Sequence, residues 1–247
     1  MGYDKMWNSK NVLVAVMLVS CSPGIAQTVP DPVDLYRAAA ARLKTATALS
    51  VEVEKRFDVI LTDGAKIEYS GALDMVVTRS SGLFIDYGDD FGAKQLWYDG
   101  RTLTLLDTLK NVYASVPVTG SVRDVLSQVN KDYDLDMPLA PLLRNDLVDN
   151  LEAHGKASYL GLHDVEGEPC HHLLFRGQTS DMQVWIRDGD QPLLCKLVVT
   201  FWEIEGAPQQ ALTFTEWDLD ADIDEQTFTA KIPESARAIE FLSLGGE

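Results

Sequence analysis

From Ser50 onward, hydrophobic residues occupy alternate positions: Val51, Val53, Phe57, Val59 and Leu61 are interleaved with Glu52, Glu54, Arg56 and Asp58. A period of two predicts a long antiparallel strand with one wet face. Asp63 and Gly64 mark a turn, and the period resumes at Ile67, Tyr69, Leu73, Met75 and Val77, so the two runs form a hairpin with one apolar face. Shorter strand-like runs follow at 83–87, 95–98, 102–107 and 112–116, then at 159–162, 171–175, 182–187, 193–202 and 211–217. Three stretches break the rhythm with helical spacing. Residues 31–47 carry Val33, Tyr36, Ala40, Leu43 and Thr47 on one face, with Asp31 as N-cap and Pro32 in the first turn. The others are Val122, Val125, Leu126 and Val129, and then Leu139, Leu142, Leu143, Leu147 and Leu151.

No repeat, linker or low-complexity tract divides the pattern. It predicts one α+β domain over residues 27–247, built as a large curved antiparallel sheet with one face covered by the helices. The 247 residues are 46% hydrophobic, enough for a sizeable core. The formal net charge of -17 opposes binding to nucleic-acid phosphates or anionic membrane surfaces.

The N-terminal segment reads as an export signal: Lys5 and Lys10, an apolar stretch over 12–19, then Ser20, Ser22, Pro23 and Gly24. Cleavage after Ala26 suits the small residues Gly24 and Ala26. Alternatively, Leu18, Val19, Ser20 and Cys21 resemble a lipobox, which would make Cys21 the acylated first residue of an outer-membrane-anchored lipoprotein. Either route leads to the periplasm. After this segment no apolar run is long enough to span a bilayer.

Chemical motifs are sparse. There is no G-x-S-x-G elbow, H-E-x-x-H pair, P-loop or dinucleotide fingerprint. His171 and His172 are neighbours on a strand, so they point to opposite faces, and His172 shares its face with Cys170 and Leu174. Asp132, Asp134 and Asp136, like Asp218, Asp220, Asp222 and Asp224, lack the Gly and Glu that complete a calcium loop. The reading is therefore no catalytic residue, no metal and no cofactor. Cys170 and Cys195 fall on strands with a third between them. Two strand spacings are roughly 9.5 Å, too wide for a disulfide, so two buried free thiols are expected.

The runs Gly167-Glu168-Pro169-Cys170-His171-His172-Leu173, Asp181 to Ile186 and Asp188-Gly189-Asp190-Gln191-Pro192-Leu193 resemble those of a family of predicted periplasmic proteins, domain of unknown function family 2092. The resemblance extends over residues 31–242 and includes the Trp97-Tyr98-Asp99-Gly100 turn and the closing run 228–233. Cys195 departs from the pattern, which has Pro or a charged residue there. The family is similar in fold to the LolA and LolB lipoprotein carriers and to the lipid-sensing domain of RseB. The resemblance thus implies a half-open barrel with an apolar cavity between sheet and helices, and it supplies no catalytic site. On that basis Phe57, Val59, Tyr69, Leu73, Met75, Ile85 and Trp97 are expected to line the cavity, and Val122, Val125, Leu126, Leu139 and Leu143 to form a lid. The expected ligand is a lipid or an acylated protein. The alternative is an interaction or sensor module with a closed core, whose acidic surface meets a basic envelope protein; a third reading, ranked below both, is a thiol or hydrolytic enzyme using Cys170 or His172.

Overall fold

The computed structural model describes residues 29–133, 139, 143 and 156–241. The chain begins with α1 (Pro32–Thr45), followed by six strands: β1 (Ala48–Ile60), β2 (Lys66–Thr78), β3 (Gly82–Asp89), β4 (Gly92–Tyr98), β5 (Thr102–Asp107) and β6 (Val112–Pro117). After α2 (Val122–Tyr133) come β7 (Ala157–Val165), β8 (Glu168–Arg176), β9 (Asp181–Arg187), β10 (Leu194–Thr200), β11 (Gln209–Asp218) and the short β12 (Arg237–Ala238). All twelve strands belong to one open sheet in the order β12-β6-β5-β4-β3-β2-β1-β11-β10-β9-β8-β7. Two meanders are thus joined back to back where β1 pairs with β11. Every pairing is antiparallel except β12 on β6. Cys21 and the cleavage positions lie outside the described residues, as do Leu142, Leu147 and Leu151 of the third predicted helix. Among the described residues no helix is long and apolar enough to cross a membrane.

The period-two pattern works as expected on the inner face. Val51 and Val53 of β1 lie opposite Met75 and Leu73 of β2, and Met75 lies opposite Ile85 of β3. Each of these five side chains is at most 4% exposed. The helices supply the cover. Asp31 caps α1 by accepting from the backbone N–H groups of Val33 and Asp34 at 2.8 and 3.1 Å, and Tyr36, Ala39 and Leu43 face the sheet. The Tyr36 ring packs on Phe175 of β8 at 5.3 Å. In α2, Val122, Val125, Leu126 and Val129 are buried in the same core, as are Leu139 and Leu143.

Arg79, just past β2, fastens the helices to the sheet. Its guanidinium donates to the carbonyls of Ala46 at 2.8 Å, Leu43 at 2.7 Å and Leu143 at 3.2 Å. The first two lie at the end of α1, where carbonyls have no partner within the helix. The Arg79 backbone also donates to Thr47 and accepts from Val122. One residue therefore joins the exit of α1, the end of β2 and the start of α2.

The sheet is apolar on part of its outer face as well. Phe84 and Trp97 pack there, with ring centroids 5.7 Å apart, beside the Thr104–Ser115 hydroxyl pair at 2.9 Å. The chain after β11 reaches β3 through a one-turn 3-10 segment, Glu225–Phe228. Phe228 occupies the space that a side chain at Gly82 would need, since a Cβ there would meet its ring at 2.3 Å. The strap then ends as β12, which covers part of the β6 edge.

Cys170 and Cys195 are joined in a disulfide, contrary to the expectation of free thiols. Their strands are indeed separated by β9. However, Cys170 pairs with Arg187, the last residue of β9, and Cys195 is the unpaired residue of a bulge between Leu194 and Lys196. Where the middle strand ends and a bulge bends its neighbour, the outer two converge. The Cα atoms are 6.8 Å apart, at the upper limit for a bridge.

Candidate functional site

Among the described residues the helices cover only part of the inner face. Moving along β1 from Val53, the inward positions are Lys55, Phe57 and Val59, and each is half-buried rather than buried. On β2 the corresponding residues are Gly71, Tyr69 and Ile67. Phe91, in the turn after β3, leans over this row. Its ring centroid lies 4.6 Å from that of Tyr69 and 6.1 Å from that of Phe57, and Phe57 and Tyr69 are 5.9 Å apart. Phe91 is 57% exposed and Ile67 38%, so an aromatic shelf continues the core outward into solvent.

Lys55 stands where shelf and core meet. Its ammonium lies 4.5 Å from the Phe57 ring centroid and 5.2 Å from that of Tyr87, and donates to the Tyr87 hydroxyl at 3.2 Å. That hydroxyl in turn donates to Asp89 Oδ2, and the Phe91 backbone N–H donates to Asp89 Oδ1 at 2.8 Å. Burial lowers the Lys55 pKa, partly offset by the negative charge of Asp89. Burial tends to raise that of Asp89, but the Tyr87 hydroxyl, the Phe91 and Gly92 N–H groups and Lys55 together hold the carboxyl below its ordinary value. The Tyr87 phenol is pushed up by burial and by its bond to Asp89. At neutral pH this is an ammonium, a neutral phenol and a carboxylate in a row.

The structure separates the expected cavity residues into three groups. Phe57, Val59 and Tyr69 lie on the open part of the inner face. Leu73, Met75 and Ile85 lie under the helices, among the buried residues of the core. Trp97 is on the outer face against Phe84. The residues expected to form a lid, Val122, Val125, Leu126, Leu139 and Leu143, are buried in the core. A cavity of about 190 Å³ remains beside them, bordered by Val77, Arg79, Val122 and Leu143. Lys55, Tyr87 and Phe91 were not among the expected residues, although alternation alone puts Lys55 between Val53 and Phe57 on the apolar face.

On the outer face of the second meander, His172 stacks on Trp185 at 3.9 Å. Its Nε2 lies 3.1 Å from Gln183 Oε1 and its Nδ1 3.0 Å from His163 Nδ1. The Gln183 oxygen accepts, which puts the His172 proton on Nε2 and leaves Nδ1 to accept from His163. His171 points the other way, its Nε2 donating to Asp188 at 2.9 Å and its Nδ1 facing the Tyr159 hydroxyl at 3.0 Å. With Cys170 in a disulfide, a Cys170–His172 nucleophilic pair is excluded while that bond is intact. Among the described residues no three His, Cys, Asp or Glu side chains converge as a metal site. In the acidic run 218–224, Asp218 and Asp224 accept from the Asp220 and Gln226 backbones, so both shape turns.

Burial lowers the His172 pKa; Gln183 opposes this, while His163 and Lys196 add to it. The unfolded imidazole takes up a proton near 6.5, whereas the folded one resists. Stability is therefore retained above that value and declines as acidification protonates the unfolded chain first. The thermal midpoint should fall between about pH 7.5 and 5.5, and His172→Gln should flatten that fall. Carboxyls with lowered values, such as Asp89, act at more acidic pH. An identical slope in the variant would remove His172 as the cause.

An open antiparallel sheet with helices over one end of its inner face and an exposed aromatic shelf at the other defines an α+β half-barrel. A family model described as "Predicted periplasmic protein (DUF2092)" matches residues 33–242, and the chain belongs to that family. Among solved structures, the Mycobacterium tuberculosis lipoprotein LppX is 14% identical, with a TM-score of 0.47 over 79% of this chain and 100% of that one. LprF from Mycobacterium bovis is 13% identical, TM-score 0.46, over 85% and 100%. A LolA superfamily protein from Nitrosomonas europaea is 12% identical, TM-score 0.35, over 81% and 98%. No curated protein matches.

Proposed function

We propose that this protein is a non-enzymatic periplasmic binder or carrier of an acyl chain, belonging either to a lipid or to a lipoprotein, held on the open part of the inner face. The observation that carries this reading is the shelf of Phe57, Tyr69 and Phe91, which beyond Lys55 carries the apolar inner face on into solvent. A contiguous exposed apolar surface costs free energy in the unliganded state and marks binding sites. Each methylene removed from water there contributes about 0.8 kcal/mol. The close burial of Leu73, Met75 and Ile85 under the helices favours a second reading, a protein-interaction module whose acidic surface meets a basic envelope partner.

A fluorescent acyl probe distinguishes them. The wild type should bind the probe at one site, and Phe57→Glu and Tyr69→Glu should each weaken binding at least tenfold. Both residues are half-buried and outside the helix-covered core, so the variants should keep the wild-type circular dichroism. Equal binding by both variants would place the chain elsewhere, and absence of binding by the wild type would favour the interaction module.

A further inference from the structure

The polar group built into the apolar inner face points to the head of the ligand. An ammonium on such a face is expensive to maintain without a counter-charge. Lys55 nevertheless has no carboxylate within salt-bridge distance among the described residues. Its one hydrogen bond there goes to the neutral Tyr87 hydroxyl at 3.2 Å, which leaves two of its three donors unclaimed. The nearest acid is already engaged, since Asp89 accepts from Tyr87 through one oxygen and from the Phe91 backbone through the other. The rings of Phe57 and Tyr87 hold the ammonium in place.

The residue opposite Lys55 on β2 is Gly71, so the facing position adds no side chain over the ammonium. A Cβ at Gly71 would lie 2.6 Å from the Gly88 carbonyl oxygen and 2.9 Å from Asp89 Cβ. The close approach that seats Asp89 beside Lys55 therefore requires glycine. The result is a fixed, incompletely paired cation at the inner end of an aromatic shelf, on a chain whose net charge is -17.

We propose that the site takes an anionic amphiphile, with Lys55 receiving the carboxylate or phosphate of the head and the Phe57, Tyr69 and Phe91 shelf receiving the acyl chain. This assignment rests on the acyl-binding reading above and adds the charge of the head. A cationic head is disfavoured because the Asp89 oxygens are occupied by donors of the chain itself.

The test compares dodecanoate, dodecyl phosphate, dodecanol and dodecyltrimethylammonium, below their micelle concentrations, by displacement of the fluorescent acyl probe. The wild type should bind at least one of the two anions about tenfold tighter than dodecanol, and the tighter anion tells carboxylate from phosphate. Lys55→Met should abolish the preference for the anions over dodecanol. Asp89→Asn should tighten anion binding, because it removes the competing negative charge. Lys55→Gln provides the same comparison should Lys55→Met fail to fold. Equal binding of anions and dodecanol by the wild type, a preference that survives in the Lys55 variants, or tighter binding of dodecyltrimethylammonium would overturn the anionic assignment and leave acyl binding standing. Failure of all four compounds to bind the wild type would overturn both.

Discussion

Replacing Cys170 and Cys195 together with alanine should lower the unfolding free energy by about 3 kcal/mol and the thermal midpoint by roughly 10 °C. The bridge closes a loop across a sequence separation of 25, and removing it restores that loop's freedom to the unfolded chain. Urea unfolding of wild type with and without reductant, compared with the double variant, checks the prediction. Reductant should destabilise the wild type and leave the variant unaffected. A reductant-insensitive wild type would mean that the bond is not formed.

This bond also shows where reading the sequence reaches its limit. Strand spacing is a property of regular pairing, and from it two strands with a third between them are too far apart. The bridge depends on two local departures from regularity, the end of β9 at Arg187 and the bulge at Cys195. Neither changes the hydrophobic period, so neither is visible in it.

The second large effect belongs to Arg79. Arg79→Ala should cost about 3 kcal/mol, because it removes charged hydrogen bonds and strands carbonyls of Leu43, Ala46 and Leu143 away from water. Arg79→Lys should recover only part of this, since an ammonium cannot reproduce the planar fork that spans separate carbonyls. Chemical denaturation of the two variants beside wild type measures both. A loss below about 0.5 kcal/mol in Arg79→Ala, typical of a surface site, would show that the helices hold their place without it.

Much of the architecture was legible in the alternation itself. The β1–β2 hairpin, the N-cap at Asp31, the buried stripe of α2 and the inward orientation of Leu73, Met75 and Ile85 all follow from period and local chemistry. Trp97 shows why the rest did not. In the run Leu96-Trp97-Tyr98 every residue is apolar and buried, so alternation cannot choose the inner face. The choice is made by Phe84 and by the C-terminal strap that covers part of the outer side. Leu73 and Met75 are equally instructive for the site. Their pattern is the same as that of Phe57 and Tyr69, and only the extent of the helices separates closed core from open shelf. Lys55 was legible in principle, as the one charge in an inward row otherwise made of leucine, valine and phenylalanine.

The most direct test of acyl binding is native mass spectrometry, with organic extraction, of the protein purified from a bacterial periplasm without detergent. A stoichiometric lipid-like adduct is expected on the wild type and none on folded Phe57→Glu and Tyr69→Glu variants. A clean unliganded mass for the wild type, with a basic envelope protein co-purifying in place of a lipid, would contradict it.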